Sequence, residues 1–315
     1  MRKALSILVA FLIGTAQVVL AQEPASSDIV GTWVLVSLER GVSRPEPVRS
    51  RGARGLLVID RAGDVYEYFS GPDNAAQDTG ETAAQQTLEN VGGFWGHYDL
   101  DAKSGEIDFQ AEDGVSPAVR GLHFSRSYEL RGDRLVLTST DEPQAQGDTR
   151  WTWMRMPIVE NFSPAYRQVV GFWQHVEERR VNTATGEVER TSHRAPSVIV
   201  YTPSGFVGVH FPTLGRESFA GDTPTADEAQ AAVRGYLGYF GALSVYPGEV
   251  SHNILSGLSP TTGSILRRYA KITGDTLVVT LQGFAGPDAD GPPPFVTEVE
   301  LHRLSGADDM LPLSN

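Results

Sequence analysis

The chain has 315 residues, with 26 Lys and Arg against 39 Asp and Glu, no cysteine and a hydrophobic content of 40%. This length suits two domains, and the composition is that of a globular protein rather than a disordered one. The net charge of -13 argues against a nucleic-acid partner, because phosphate backbones are bound by clustered Lys and Arg. Without cysteine the chain has no disulfide, no thiolate nucleophile and no thiolate metal ligand.

The first 21 residues carry the pattern of a secretory signal peptide. Arg2 and Lys3 precede an apolar run over residues 4–20, and small residues lie at the -3 and -1 positions of a cleavage site after Ala21. The alternative is a membrane anchor, but the run is short for a full span. The sequence therefore predicts a secreted or periplasmic protein with no membrane span after signal cleavage.

The rest of the chain contains one pattern written twice, at an offset of 140 to 146 residues. An offset this constant over a whole domain indicates duplication. The matched positions are Gly31 and Gly171, Trp33 and Trp173, Gly63 and Gly205, Gly92 and Gly238, Arg126 and Arg268, and Gly132 and Gly274. We expect one repeat over residues 28–157 and a second over 168–305, with a linker at 158–167 and a tail at 306–315.

Each repeat reads as short alternating strands joined by tight turns, with one helical stretch. Gly132 and Asp133 form a turn between two β-rich runs, which is typical of a hairpin. In the second repeat, Thr225 and Glu228 form a capping box, and an apolar stripe follows at helical spacing as far as Phe240. The pattern predicts an antiparallel barrel or sandwich in each repeat.

Both repeats resemble the bacterial and fungal lipocalin-like domain family. The resemblance rests on the ordered set of Gly-x-Trp, a Gly-containing hairpin, a Tyr/Phe-rich helix end, a His strand, and Arg-aromatic before Gly-Asp and a Leu-rich strand. It implies an all-β protein of two tandem lipocalin-like antiparallel β-barrels, each with one short inserted helix and a small-molecule cavity. It also implies that Arg155 and Arg303 lie over the indoles of Trp33 and Trp173.

Two residues of the second repeat are candidates for chemistry. Arg268 lies on the apolar face of its strand, where a charge must find an acceptor, either a ligand oxyanion or a structural partner. His252 also lies on an apolar face, and it is either a proton-transfer residue or an inert core histidine. The full set of candidate ligand-binding residues is Tyr68, Trp95, Arg126, Tyr128, His210, Tyr236, Tyr239, Phe240, His252 and Arg268.

Three functions follow, in descending order of preference. The first is binding of a small, mainly hydrophobic ligand with an acidic group near Arg268. The second is a cofactor-independent isomerase or cyclase that acts on a hydrophobic substrate through His252 and Arg268. The third is a structural pair of filled barrels. No motif predicts a metal or a cofactor, and the oligomeric state is left open.

Overall fold

The computed structural model describes residues 29–43, 48–50, 52–71, 82–101, 103–139, 148–160, 162–221, 223–258, 262–282 and 293–311. The predicted signal peptide lies outside these residues. The described chain forms two antiparallel sheets of nine strands each, one in each repeat. Each sheet closes on itself, because its first strand also pairs with its last, β1 with β9 and β10 with β18.

The first barrel is an up-and-down meander of eight strands, and β2 pairs only with the far end of β1. Alternation of apolar and polar residues along the strands gives it an interior. Its strands are β1 (Gly31–Arg40), β2 (Val48–Ser50), β3 (Arg54–Ile59), β4 (Asp64–Ser70), β5 (Val91–Asp101), β6 (Glu106–Gly114), β7 (His123–Arg131), β8 (Arg134–Ser139) and β9 (Thr149–Arg155).

The second barrel repeats this topology strand for strand, with β11 in the place of β2. The prediction of two tandem all-β barrels is confirmed. Its strands are β10 (Gly171–Asn182), β11 (Val188–Ser192), β12 (Val198–Tyr201), β13 (Phe206–Pro212), β14 (Tyr236–Tyr246), β15 (Glu249–Gly257), β16 (Ile265–Thr273), β17 (Thr276–Gln282) and β18 (Phe295–Gly306).

One short helix precedes the fifth strand of each repeat, α1 (Ala83–Asn90) and α3 (Ala226–Arg234), and both begin at a capping box. The helix of the second repeat is shorter than its apolar stripe suggested. It ends at Gly235, and Tyr236, Tyr239 and Phe240 lie on strand β14. The stripe therefore joined a helix and a strand that happen to share apolar residues.

The segments around the second barrel are structured as well. Residues 158–167 were expected to be a linker, but they include most of helix α2 (Pro164–Val169), which is capped by Ser163. In the expected tail, the short helix α4 (Ala307–Met310) follows β18 and buries Met310. The backbone N–H of Arg61 in the first barrel donates to Asp309 O, so the tail bridges the two barrels.

The two barrels share a third hydrophobic cluster, which lies between them rather than inside either one. The outward faces of β3, β4 and β5 pack against those of β10, β12, β13 and β14. Its buried members are Leu56, Val58, Tyr66, Tyr68, Trp95, Val115, Val170, Phe172, Val198, Val200, Tyr236, Phe240 and Met310. We call this cluster the barrel interface.

The Gly-x-Trp strand has the same closing contacts in both barrels. The guanidinium carbons of Arg155 and Arg303 each lie 4.0 Å from the ring centroid of Trp33 and Trp173, respectively. The indole N–H of Trp33 donates to Ile29 O, and that of Trp173 donates to Val169 O. The implied stacking of arginine on tryptophan is present twice.

Candidate functional site

Strand pairing sets the two barrels in register, residue against residue. Ile107 pairs with Arg126 across β6 and β7, and Val250 pairs with Arg268 across β15 and β16. Arg126 and Arg268 therefore occupy the same position in the two barrels. Both lie on strands whose alternate residues contribute apolar side chains to the barrel interior.

In barrel 1, Arg126 is neutralised and enclosed. Its two Nη atoms lie 2.5 and 3.0 Å from the two carboxylate oxygens of Glu67, and both side chains are only 1% exposed. A bidentate pair of this kind satisfies charges that would be costly to bury alone. Its guanidinium carbon also lies 4.2 to 5.7 Å from the ring centroids of Phe94, Phe109, Phe124 and Trp151.

Barrel 2 changes every member of this shell. The register places Val209 where barrel 1 has Glu67, so the carboxylate opposite the arginine is gone. Val299 replaces Trp151 and Leu266 replaces Phe124, and both replacements are smaller. Tyr239 replaces Phe94 and His252 replaces Phe109, which adds polar atoms. Barrel 1 has a plugged interior, whereas barrel 2 has a less bulky and more polar one.

Arg268 lies beside a hydrogen-bonded group of three side chains. The Tyr239 hydroxyl lies 2.8 Å from His252 Nδ1, and the Tyr201 hydroxyl lies 3.3 Å from His252 Nε2. Tyr201 and His252 are at most 2% exposed, and Tyr239 is 5% exposed. Arg268 itself is half-buried, and it donates to the backbone oxygen of Arg267. Among the described residues, no carboxylate pairs with it.

Burial and the neighbouring cation set the protonation states of this group. Burial and, to a lesser extent, the positive charge of Arg268 lower the pKa of His252 to about 3, so the imidazole is neutral near pH 7. Burial raises the pKa of Tyr201 and of Tyr239 well above the usual value, although Arg268 opposes the shift in both. The site therefore holds one cation, one neutral imidazole and two protonated phenols.

Five of the ten candidate ligand-binding residues lie in the barrel interface and not in a barrel interior. Since alternate residues of a strand face opposite sides, the neighbours of inward-facing residues point outward. One face of these strands is buried in a barrel interior and the other in the barrel interface. Because both faces carry apolar residues, the sequence pattern did not reveal which face points into the barrel. These five residues are Tyr68, Trp95, His210, Tyr236 and Phe240.

His210 is an example of such a structural residue. Its Nε2 lies 2.9 Å from the backbone oxygen of Glu67 in the other barrel, and its Nδ1 contacts the Tyr236 hydroxyl. Burial lowers the pKa of His210 to about 3, so the ring is neutral. Both ring nitrogens have partners, and His210 therefore ties the barrels together.

The other five candidates divide between the interiors. Arg126 and Tyr128 lie in barrel 1, where Glu67 and four aromatic rings surround the arginine. Tyr239, His252 and Arg268 come together in barrel 2. Tyr201 completes the group and was missed, because it stands at the end of an apolar strand where barrel 1 has Ile59.

A second buried ionic group was also missed, and it joins the barrels. Asp113 is fully buried, and its carboxylate accepts from Arg120 Nε at 2.8 Å and from Arg216 Nη1 at 3.1 Å. Arg216 comes from barrel 2 and also donates to the backbone oxygens of Gly114 and Val115. Because every charge here has a partner, this group holds the interface rather than a ligand.

The seam between the barrels also forms a surface cavity of about 640 Å³. Polar side chains that line this cavity already have partners within the protein. Ser70 and Ser256 share a hydrogen bond of 2.7 Å, and Arg54 Nη1 donates to Leu255 O. Within the described ranges, no set of three or more His, Asp or Glu side chains could hold a metal ion. No helix in that part of the chain has the length and apolarity to cross a membrane.

Comparison with known proteins found a family that is similar to barrel 2. A family model described as a lipocalin-like domain matches residues 170–287, which run from the start of β10 past the end of β17. A search of curated proteins found no match. A solved structure of a DUF3598-family protein of unknown function from Nostoc punctiforme is similar at 9% identity and a TM-score of 0.24, covering 88% of this chain and 96% of that one. Barrel 2 is therefore similar to the lipocalin-like domain family, and barrel 1 repeats its topology, so the chain contains two lipocalin-like barrels in tandem.

Proposed function

We propose that this protein binds a small, mainly apolar molecule with an acidic group inside barrel 2, and that barrel 1 is a filled structural partner. The observation that carries this proposal is the change of Glu67 to Val209 at equivalent positions. It removes the counter-ion of the arginine in one copy of an otherwise conserved topology. A ligand carboxylate or other oxyanion at Arg268 would take the place of that carboxylate.

The surroundings of Arg268 suit a ligand of this kind. Leu266, Val209 and Val299 provide an apolar wall, and the phenols and imidazole provide the few polar contacts that fix orientation. The positive charge is partly exposed, so a ligand can reach it from solvent. The third alternative, a filled barrel, describes barrel 1, where Glu67 and four aromatic rings surround Arg126.

The signal pattern in residues 1–21 supports a site of action outside the cytoplasm. We propose that the mature protein acts after export, as a secreted or periplasmic binding protein. N-terminal sequencing of protein purified from a host cell envelope tests this, and a start at Gln22 is the expected result.

Matched acid and ester probes test the binding function. We expect 2-naphthoic acid to bind the purified protein, and we expect Arg268→Gln to weaken it at least tenfold, or about 1.4 kcal/mol. The affinity for methyl 2-naphthoate should change little in the same variant. Arg267→Gln is the control, because Arg267 is exposed and pairs with Glu249 on the outer surface.

Isothermal titration calorimetry gives both affinities. Equal losses for acid and ester in Arg268→Gln would remove the ionic role of Arg268. Acid binding that survives in that variant but is lost on Arg126→Gln would move the site to barrel 1.

A further inference from the structure

We propose that Tyr201, His252 and Tyr239 form a proton relay that interconverts the keto and enol forms of a ligand bound beside Arg268. This inference rests on the proposed function, since it uses the same interior of barrel 2. It goes beyond binding because it assigns a reaction, the tautomerisation of an enolisable carbonyl compound, and two additional residues that carry it.

The relay is continuous from one phenol to the other. His252 bridges the two hydroxyls, with Nδ1 2.8 Å from that of Tyr239 and Nε2 3.3 Å from that of Tyr201. The three residues come from β12, β14 and β15, so separate strands hold each one in place. Their rings pack against one another, with centroids 5.6 Å apart for Tyr201 and His252 and 6.0 Å apart for Tyr239 and His252.

A count of protons shows why this arrangement can switch. A neutral imidazole carries one ring proton, so one nitrogen donates and the other accepts. When both hydrogen bonds form, one phenol donates to His252 and the other accepts from it. The accepting phenol keeps an O–H that is free to donate elsewhere. Exchanging the tautomer of His252 moves this free O–H from Tyr201 to Tyr239.

The balanced step from ketone to enol uses each group once. Tyr201 gives its free proton to the ligand carbonyl oxygen and takes the Nε2 proton of His252. Nδ1 takes the phenolic proton of Tyr239, and Tyr239 takes a proton from the ligand α-carbon. The C–H electron pair becomes the new C=C bond, and the carbonyl π pair becomes the new O–H bond. No oxidant or reductant is needed, and the reverse step restores the first tautomer.

Arg268 assists because negative charge develops on the ligand oxygen during this transfer. Arg268 is the register partner of Val250, two residues from His252 along β15, and its charge acts on both tyrosines and on His252. A fixed cation beside the developing negative charge lowers the activation free energy of the proton transfer more than the same cation would in water. In barrel 1, Phe94, Phe109 and Ile59 occupy the three relay positions, so that barrel has neither the phenols nor the imidazole.

The enol form of phenylpyruvate is the probe, since it combines an aromatic ring, a carboxylate for Arg268 and an enolisable carbonyl. We expect the protein to accelerate ketonisation, followed by ultraviolet absorbance. Tyr201→Phe and Tyr239→Phe should each lower kcat at least 100-fold and change KM less than threefold, as expected for loss of a proton-transfer group. Barrel 1 already places Phe94 at the position of Tyr239, so the fold accommodates the second change.

Tyr246→Phe is the control, because Tyr246 is 56% exposed on the outside of barrel 2. Phenylpyruvate that binds to the wild type but ketonises at the uncatalysed rate would overturn the relay and leave the binding function intact. Wild-type activity in both relay variants would also overturn it. Absence of binding, measured by saturation-transfer NMR, would contradict the proposed function together with the relay.

Discussion

Arg126 and Arg268 occupy the same register position in two barrels of the same topology, yet only Arg126 faces a carboxylate. Glu67 holds it with two hydrogen bonds in an interior that excludes solvent. Val209 stands at the corresponding position opposite Arg268. The difference separates a structural core from a candidate binding site within one chain, and it leads to the first two predictions.

Val209→Glu should close the candidate site from within. The new carboxylate would face Arg268 as Glu67 faces Arg126, and it would compete with an acidic ligand for the same cation. We expect the affinity for 2-naphthoic acid to fall at least tenfold, measured by calorimetry. Val209→Gln is the control, because glutamine has nearly the shape of glutamate without its charge. The affinity for 2-naphthoic acid should fall clearly less in this variant than in Val209→Glu. Identical losses would indicate a steric effect rather than neutralisation.

Glu67→Val should destabilise the protein strongly. It leaves the guanidinium of Arg126 buried with no counter-ion, a change that costs on the order of 3–5 kcal/mol. Chemical denaturation would measure the free energy of unfolding. The double variant Glu67→Val with Arg126→Met should recover most of the loss, because an apolar pair replaces the buried charges. Glu249→Gln, which removes a surface partner of Arg267, should change stability little.

Gly208→Ala should loosen the barrel interface. A Cβ at Gly208 would lie 2.4 Å from Cζ of Tyr66, and that ring is fixed because its hydroxyl donates to Tyr239 O at 2.8 Å. Overpacking of this kind costs about 1–3 kcal/mol. We expect that loss in urea denaturation. Gly221→Ala serves as the control, because its Cβ would meet nothing within 4 Å. Equal stability of the two variants would show that the interface yields easily.

Asp60 should make stability fall as the pH rises towards neutrality. Burial raises the pKa of this carboxyl to about 7, from a usual value of 3.8, although its hydrogen bond from Ser305 opposes the shift. The folded protein therefore keeps a proton that the unfolded chain releases. Between about pH 4 and about pH 7 the unfolded state binds fewer protons, and the free energy of unfolding decreases.

Asp60→Asn isolates this contribution, because it leaves the pair of Asp64 and His97 and the carboxylate of Asp309 unchanged. We expect the wild type to lose stability relative to the variant between about pH 4 and about pH 7, and the difference to level off above that range. Denaturation at several pH values measures it. A difference that does not vary with pH would show that Asp60 is ionised throughout.

The antiparallel strands and the one short helix in each repeat followed from the sequence, because turns at glycine and capping boxes are local signals. The end of helix α3 did not, since Tyr236 and Phe240 continue its apolar spacing on a strand. The strands at the barrel interface are buried on both faces, and a run such as β12 is then apolar throughout. Alternation cannot assign a face in such a strand, which is why Tyr68 and His210 were expected in a cavity.

The contrast between the two arginines also lay beyond local signals. Glu67 is 59 residues from Arg126 in the chain, and their pairing depends on strands β4 and β7 facing each other across a closed barrel. Arg268 and His252 were nevertheless placed correctly on inward faces by alternation alone. Their grouping with Tyr201 required the three-dimensional register, because the sequence carries no pattern that links a strand-end tyrosine to a histidine 51 residues later.

Equivalent strands and the equivalent helices α1 and α3 meet across the barrel interface, as the same elements of two subunits do in a two-fold homodimer. Identical subunits must place identical residues at a shared axis. Here the register makes Tyr66 and Gly208 counterparts, and the ring of Tyr66 occupies the space above Gly208. Two tyrosines would collide there, and two glycines would leave a void. When both copies are encoded in one gene, a substitution in one repeat is not repeated in the other. Each barrel can therefore acquire its own residues at the interface and in its interior.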